Sequence, residues 1–472
     1  MRKAIALFTT LLSACSFAPK YQHPSTPNVA AFKEVGDWMP AAPADSQPRG
    51  AWWEAFNDTQ LNQLELTIGD ANQDLRGAVA RYEQARALAG SARSNLFPII
   101  DVNASASRAR NSADAPNAAG RSGVGNNYVA SGDLNWEIDL FGRLRDTARA
   151  ANERARAGAA DVASLDLLLR AELATDYFSL RGADATTELL ENAVKVYDRA
   201  LELTKNRYEG GIAAATDVDQ AETQRQVTRA QLASVRLQRA QLEHAIAVLL
   251  GQPPSTFSLA STTTFASEPP AFDVGLPSAL LQRRPDVASA ERQVAAANDE
   301  IGVARAAWFP IFSIGASGGY QATHSQTWFD APSQFWSVGP AMAVPFLDAG
   351  GRISLNRRAR AAYEESVANY RQTALLAYQE VEDSIAALHY LSDALAADQA
   401  AAASAERSVY HANQRYAAGV ADYIEVTSTQ TTALQAQRAV LDSRVQRLNA
   451  SVTLVRALGG GWTPDQLEKA LL

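Results

Sequence analysis

The chain contains its own copy. Ala92-Arg93-Ser94-Asn95-Leu96-Phe97-Pro98 returns as Ala304-Arg305-Ala306-Ala307-Trp308-Phe309-Pro310. Arg207-Tyr208-Glu209-Gly210-Gly211 returns as Arg415-Tyr416-Ala417-Ala418-Gly419, and Gly142-Arg143 as Gly351-Arg352. The three pairs keep their order and lie roughly 210 residues apart, far beyond the period of a solenoid. Whatever the first half builds, the second half builds again.

Each half alternates between two periodicities. From Tyr128 to Leu140 the even positions carry Tyr128, Leu134, Trp136 and Ile138, and the odd ones Ser131, Asp133, Asn135, Glu137 and Asp139. That period of two predicts a strand with one apolar and one polar face. Phe312 to Tyr320, Trp336 to Phe346 and, more weakly, Ile99 to Arg110 behave alike, and polar loops join them as two hairpins. Strands of roughly ten to twelve residues, with aromatic residues such as Tyr128, Trp308 and Phe346 near their ends, have the length and girdle of membrane-crossing strands. A soluble sandwich edge is the alternative. Acidic residues on the polar faces, Asp101 and Asp133 above all, would form rings favouring cations if several copies shared a pore. Glu137 and Asp139 fall nearer the strand-to-helix junction.

Between the hairpins the pattern is helical. No proline occurs between Pro116 and Pro253 or between Pro345 and Pro464. Gly142 to Glu209 and Gly351 to Ala417 each read as one continuous helix. Tyr363, Val367, Tyr370, Ala374, Ala377 and Val381 step by 4 and 3, as do Leu441, Val445, Leu448, Val452 and Val455, which is a coiled-coil seam. The chain reverses at Gly211 and Gly419, where glycine accepts the left-handed helix end. Returning helices begin at Asp217 and Asp422, positions where a carboxylate suits a helix start.

Composition removes several classes. Net charge is −8, which argues against nucleic acid as the main partner. Mean hydropathy is −0.19 and no apolar run reaches membrane-helix length. The five histidines are scattered without ligand spacing, and no phosphate loop or dinucleotide fingerprint occurs, so no cofactor or metal is expected. Arg2-Lys3 followed by Ala4 to Leu12 reads as an export signal. It ends at Leu12-Ser13-Ala14-Cys15, similar to a bacterial lipobox in which the cysteine is acylated. Cys15 is also the chain's one cysteine, so no intrachain disulfide is possible. An ordinary cleaved signal with an incidental cysteine is the alternative. Ser16 after the cysteine resembles lipoproteins sent to the outer membrane.

The resulting organisation is a signal peptide over 1–14, an extended lipidated leader over 15–50, and a helical equatorial segment over 51–97. A first strand hairpin over 98–140 and a first helical hairpin over 141–252 follow. A linker over 253–283 and a helix over 284–307 lead to the second strand hairpin over 308–347. The second helical hairpin over 348–458 and an equatorial tail over 459–472 complete the chain. Four lipid-crossing strands cannot close a barrel, and an open edge in lipid leaves backbone groups unsatisfied. Identical copies must therefore pool their strands.

The Cys15 lipobox, Trp52-Trp53-Glu54-Ala55-Phe56, the two Phe-Pro strand starts, Leu281-Gln282-Arg283-Arg284-Pro285-Asp286-Val287 with Ala290-Glu291, and the two Arg-Tyr-x-x-Gly turns together resemble the outer-membrane factor family. These are TolC-like and lipidated OprM-like or NodT-type ducts. The resemblance implies a mixed α and β membrane protein. A trimeric shared twelve-stranded β-barrel would continue into a long periplasmic α-helical barrel, with four strands and two helical halves per chain. It implies a passive exit duct, not an enzyme, for a tripartite efflux system. The partners would be two further copies, a periplasmic adaptor, an inner-membrane RND-type pump and outer-membrane lipid. It places a periplasmic gate at Tyr416, Asp217, Asp422 and Glu425. Family positions that often hold arginine and aspartate are Ala421 and Ser428 here, so a gate ion pair found in some relatives is absent or rebuilt. A protein-secretion duct and a non-conducting envelope coiled coil are the alternative functions.

Overall fold

A computed structural model describes residues 16–26, 32–33, 49–111, 123–262, 268–270 and 283–460. The signal segment, Cys15, most of the leader beyond residue 26, Leu281-Gln282 and the tail from 461 lie outside the described residues, as does part of the first strand loop.

The helices are α1 (Thr59–Ala71), α2 (Gln73–Ser94), α3 (Arg143–Glu209), α4 (Ala215–Leu249), α5 (Pro285–Ala306), α6 (Gly351–Ala417) and α7 (Tyr423–Ala457). The strands are β1 (Ile99–Asn111), β2 (Gly123–Ile138), β3 (Ile311–Ala322) and β4 (Gln334–Ala343). The duplication holds in detail: α2 and α5 are both 22 residues, α3 and α6 both 67, α4 and α7 both 35. Strand β2 starts five residues before Tyr128, at Gly123, because the polar stretch there still pairs with β1 through Asn111↔Gly123.

The chain folds as two compact units. The first comprises Met1–Ser25, Arg81–Gly158 and Ser289–Arg371. It holds a four-stranded antiparallel sheet in the order β1-β2-β3-β4, so β1 and β4 are open edges. It also holds α5 between neighbours. Ile301 and Ala304 pack on Ala359 of α6, and Arg149 of α3 pairs with Asp299 at 3.3 Å. The 4-and-3 stepping of α6 buries Tyr370 here.

The second unit comprises Thr26–Ala80, Ala159–Ala288 and Gln372–Leu472. Its core is the apolar stripe of helices α3, α4, α6 and α7. Leu173, Leu180, Leu190, Ile246 and Leu448 are fully buried, each contributing roughly 1.5–3 kcal/mol. The same stepping along α6 buries Ala374, Ala377 and Val381. Gly182 lets α7 approach α3, since a Cβ there would overlap Val445. Asp58 caps α1, accepting from the amides of Gln60 (2.9 Å) and Leu61 (3.0 Å). Pro285 opens α5, and the buried Arg284 before it is structural. Its guanidinium donates to Asp286, to Glu380 at 2.7 Å and to the Ala457 carbonyl at 3.0 Å, at the end of α7.

Candidate functional site at the sheet and the hairpin turns

Register decides what the sheet presents. Asp101 lies opposite Asp133, Asp133 opposite Ser317, and Ser317 opposite Ser337, so one polar row crosses all four strands. Asp133 is held there by three donors: Asn103 Nδ2 (2.8 Å), Ser131 Oγ (2.9 Å) and Ser317 Oγ (2.5 Å). Three such donors fix the Asp133 carboxylate on the polar side of the sheet. The other face carries Ile100, Val102, Leu134, Ile314, Trp336, Val338 and Met342. Val102 is 85% and Trp336 80% exposed in the single chain. A sheet with such a face and two unpaired edges is stable only against apolar surroundings and further strands. Glu137 and Asp139 serve the strand-to-helix junction instead, pairing with Arg143 (2.6 Å) and Arg145 (3.1 Å).

The two helical turns have the same geometry. Gly211 and Gly419 both have φ +74°. Ile212 N donates to the Arg207 carbonyl at 2.8 Å and Val420 N to the Arg415 carbonyl at 3.0 Å, closing each helix end the same way. Around them Leu201, Ala221, Ala412, Tyr423 and Val426 form a buried cluster flanked by Val218 and Tyr416. The Arg207 guanidinium lies 4.6 Å from the Tyr416 ring centroid, and that ring packs on Tyr423 at 5.5 Å. Tyr416 is thus held through its ring. Among the described residues it makes no hydrogen bond to Asp422. Asp422 is the residue before α7, but its side chain makes no capping bond. Asp217 is the third residue of α4 and accepts from Ala214 N at 3.3 Å. Glu425 pairs with Arg415 at 3.5 Å across the turn, so an ion pair exists here with a different arginine from the one sought at position 421.

Three features escaped the sequence reading. Ile212 (72% exposed) and Val420 (67%) are bare apolar side chains at matching points of the two turns; their shared Gly-aliphatic-Ala pattern was the available signal. The leader has a seat: Ser16 Oγ donates to the fully buried Asp146 at 2.9 Å, Arg305 donates to the Phe17 carbonyl at 3.1 Å, and the Phe17 ring stacks on Phe309 at 4.4 Å. Burial raises the Asp146 carboxyl above its ordinary range. The third is Glu65, fully buried on the apolar stripe of α1, whose two carboxyl oxygens accept no hydrogen bond. Among the described residues no group of side chains could hold a metal ion and no helix is long and apolar enough to cross a membrane.

The sequence model of the "Outer membrane efflux protein" family matches the chain twice, over residues 68–252 and 276–460. The "Toluene efflux pump outer membrane protein TtgC" of Pseudomonas putida is 32% identical over 462 residues, covering 97% of this chain and 95% of the relative. The "Pyoverdine export outer membrane protein OpmQ" of Pseudomonas aeruginosa is 31% identical over 467 residues, covering 97% of each. Among solved structures the outer-membrane channel OprN is 29% identical with a TM-score of 0.85, covering 95% of this chain and all of that one. With a duplicated helical hairpin, a sheet built for an apolar environment and these matches across nearly its full length, the chain belongs to the outer membrane efflux protein family and is an outer-membrane exit channel.

Proposed function

We propose that three copies of this chain close one twelve-stranded barrel through which small organic solutes leave the cell. The carrying observation is the four-stranded sheet with two open edges and an exposed apolar face. Each copy adds four strands, and only closure removes edges in lipid. The row of Asp101 and Asp133, repeated by each copy, then lines the pore and favours cations. Acylation at Cys15 adds a lipid anchor, and the seat of Ser16 and Phe17 beside the strand ends supports it.

The solute arrives from an inner-membrane pump of the proton-driven class through a periplasmic adaptor. The relatives named for toluene and pyoverdine support a small-molecule cargo. The bare Ile212 and Val420 support apolar docking of the adaptor at the turns. Tyr416, Asp217, Asp422 and Glu425 form the gate at these turns, with closure resting on the Arg207–Tyr416–Tyr423 stack and the Arg415–Glu425 pair.

Reconstitution in a planar bilayer tests both parts. Wild-type protein should give discrete but small conductance steps, and the Arg207→Ala, Tyr416→Ala double variant should raise them severalfold. A folded trimer without conductance refutes the duct; unchanged steps in the variant refute the gate.

A further inference from the structure

The internal copy allows the contact between neighbouring chains to be placed on this chain's own residues. Residues of α2 correspond to those 212 positions later in α5, because both helices are 22 residues and end before the same Phe-Pro step. Residues of α3 correspond to those 208 positions later in α6. Both are 67 residues, and each follows a left-handed glycine, Gly142 (φ +78°) or Gly350 (φ +89°).

Within the first unit the two copies have unequal surroundings. Helix α2 packs on α3, with Tyr82 and Ala85 near Gly158. In the same way α5 packs on α6 through Ile301, Ala304 and Ala359. But α5 is covered on its second flank too, by α3 and by the leader: Arg149 pairs with Asp299, Arg154 with Glu300, and Gly302 faces Asp146 and the Ala18 backbone so closely that any Cβ would overlap them. The second flank of α2 is bare. Leu88 is 68% exposed, and a Cβ on Gly90 would meet nothing. Gly90 is the counterpart of Gly302. An exposed glycine inside a helix is less stable than alanine there, and close approach of another helix would explain its presence.

The strands name the occupant. Strand β2 pairs with β3, and the helices attached to those strands, α3 and α5, are the pair just described. The open edges are β1, preceded by α2, and β4, followed by α6. If β4 of one copy pairs with β1 of the next, α6 and the neighbour's α2 stand as α3 and α5 do. This step rests on the barrel closure proposed above, and a head-to-tail contact of this kind closes into a ring.

We infer that the exposed flank of α2 packs against α6 of the adjacent copy, with Gly90 facing the neighbour's Ser354 as Gly302 faces Asp146 within the chain. The equivalents of the ionic partners are apolar or small on one or both sides: Leu88 meets Ala362 where Glu300 meets Arg154, and Ala87 meets Arg357 where Asp299 meets Arg149. The contact between copies is therefore drier than its internal counterpart, and Leu88 is its main apolar anchor.

Co-expression of Gly90→Cys chains with Ser354→Cys chains tests the pairing, since a disulfide then forms only between copies, with Cβ atoms about 3.5–4.5 Å apart. Oxidation should give a reducible two-chain band, and neither variant alone should give one. Both substitutions in one chain should convert the monomer band to three linked chains. Leu88→Glu should lower the three-chain fraction severalfold on native mass measurement. A three-chain assembly that forms no such disulfide, or one indifferent to Leu88→Glu, overturns this contact and leaves the shared barrel standing. Absence of any wild-type assembly overturns both.

Discussion

Replacement of Glu65 by glutamine should stabilise the protein, and more so as pH rises. Glu65 sits on α1 between Leu61, Leu64 and Ile68, with no exposed surface. Burial pushes its carboxyl from 4.5 up to about 9. Arg170, 3.6 Å away, does not offset this. That guanidinium is committed to the Glu65 carbonyl (2.6 Å) and Asp166 (2.9 Å), and lies over the Trp53 ring at 4.8 Å. The folded chain therefore holds a proton on Glu65 that the unfolded chain releases above pH 4.5. Stability from this group is whole below that pH, declines as pH rises toward about 9, and is flat beyond. Each pH unit in that window costs about 1.36 kcal/mol, or about 3 kcal/mol by pH 7. Glutamine keeps the shape and never ionises. In a series of thermal unfolding scans, Glu65→Gln should match wild type at pH 4.5 and melt several degrees higher at pH 8. A variant melting lower than wild type at every pH, or by a constant difference, would refute a neutral buried acid.

Two further outcomes follow from the sheet and the turns. Asp101→Asn with Asp133→Asn should lower the cation-to-anion permeability ratio measured by reversal potential, while leaving assembly intact; an unchanged ratio removes the acidic row from the pore. Gly419→Val forces a branched residue to φ +74° and should cost about 1–2 kcal/mol in thermal unfolding, with a neutral result showing that the turn relaxes freely.

Much of the fold is legible in the periodicity of the sequence alone. The helices bounded by Gly211 and Gly419 and the alternation from Tyr128 to Ile138 depend on neighbours within a few positions, so local pattern exposes them. The correspondence of Gly142-Arg143 with Gly351-Arg352 was off by one: the left-handed glycine before α6 is Gly350, because the junction after β4 contains two glycines. What stayed hidden was long-range. Ser16 and Asp146 are 130 positions apart, and nothing near either shows that a buried carboxylate holds the leader. At the turns, residue types were readable but bonding was not. The resemblance singles out Tyr416, but only the structure shows that its ring contacts Arg207 and Tyr423. Glu65 was readable in principle, being a carboxylate at the i+4 position of an apolar stripe.

One chain owns too few strands to seal a pore. Native mass spectrometry of the detergent-extracted, conducting material counts the chains directly. A single species of three chains should carry all the conductance; a lone chain that conducts would show that four strands suffice for a pore.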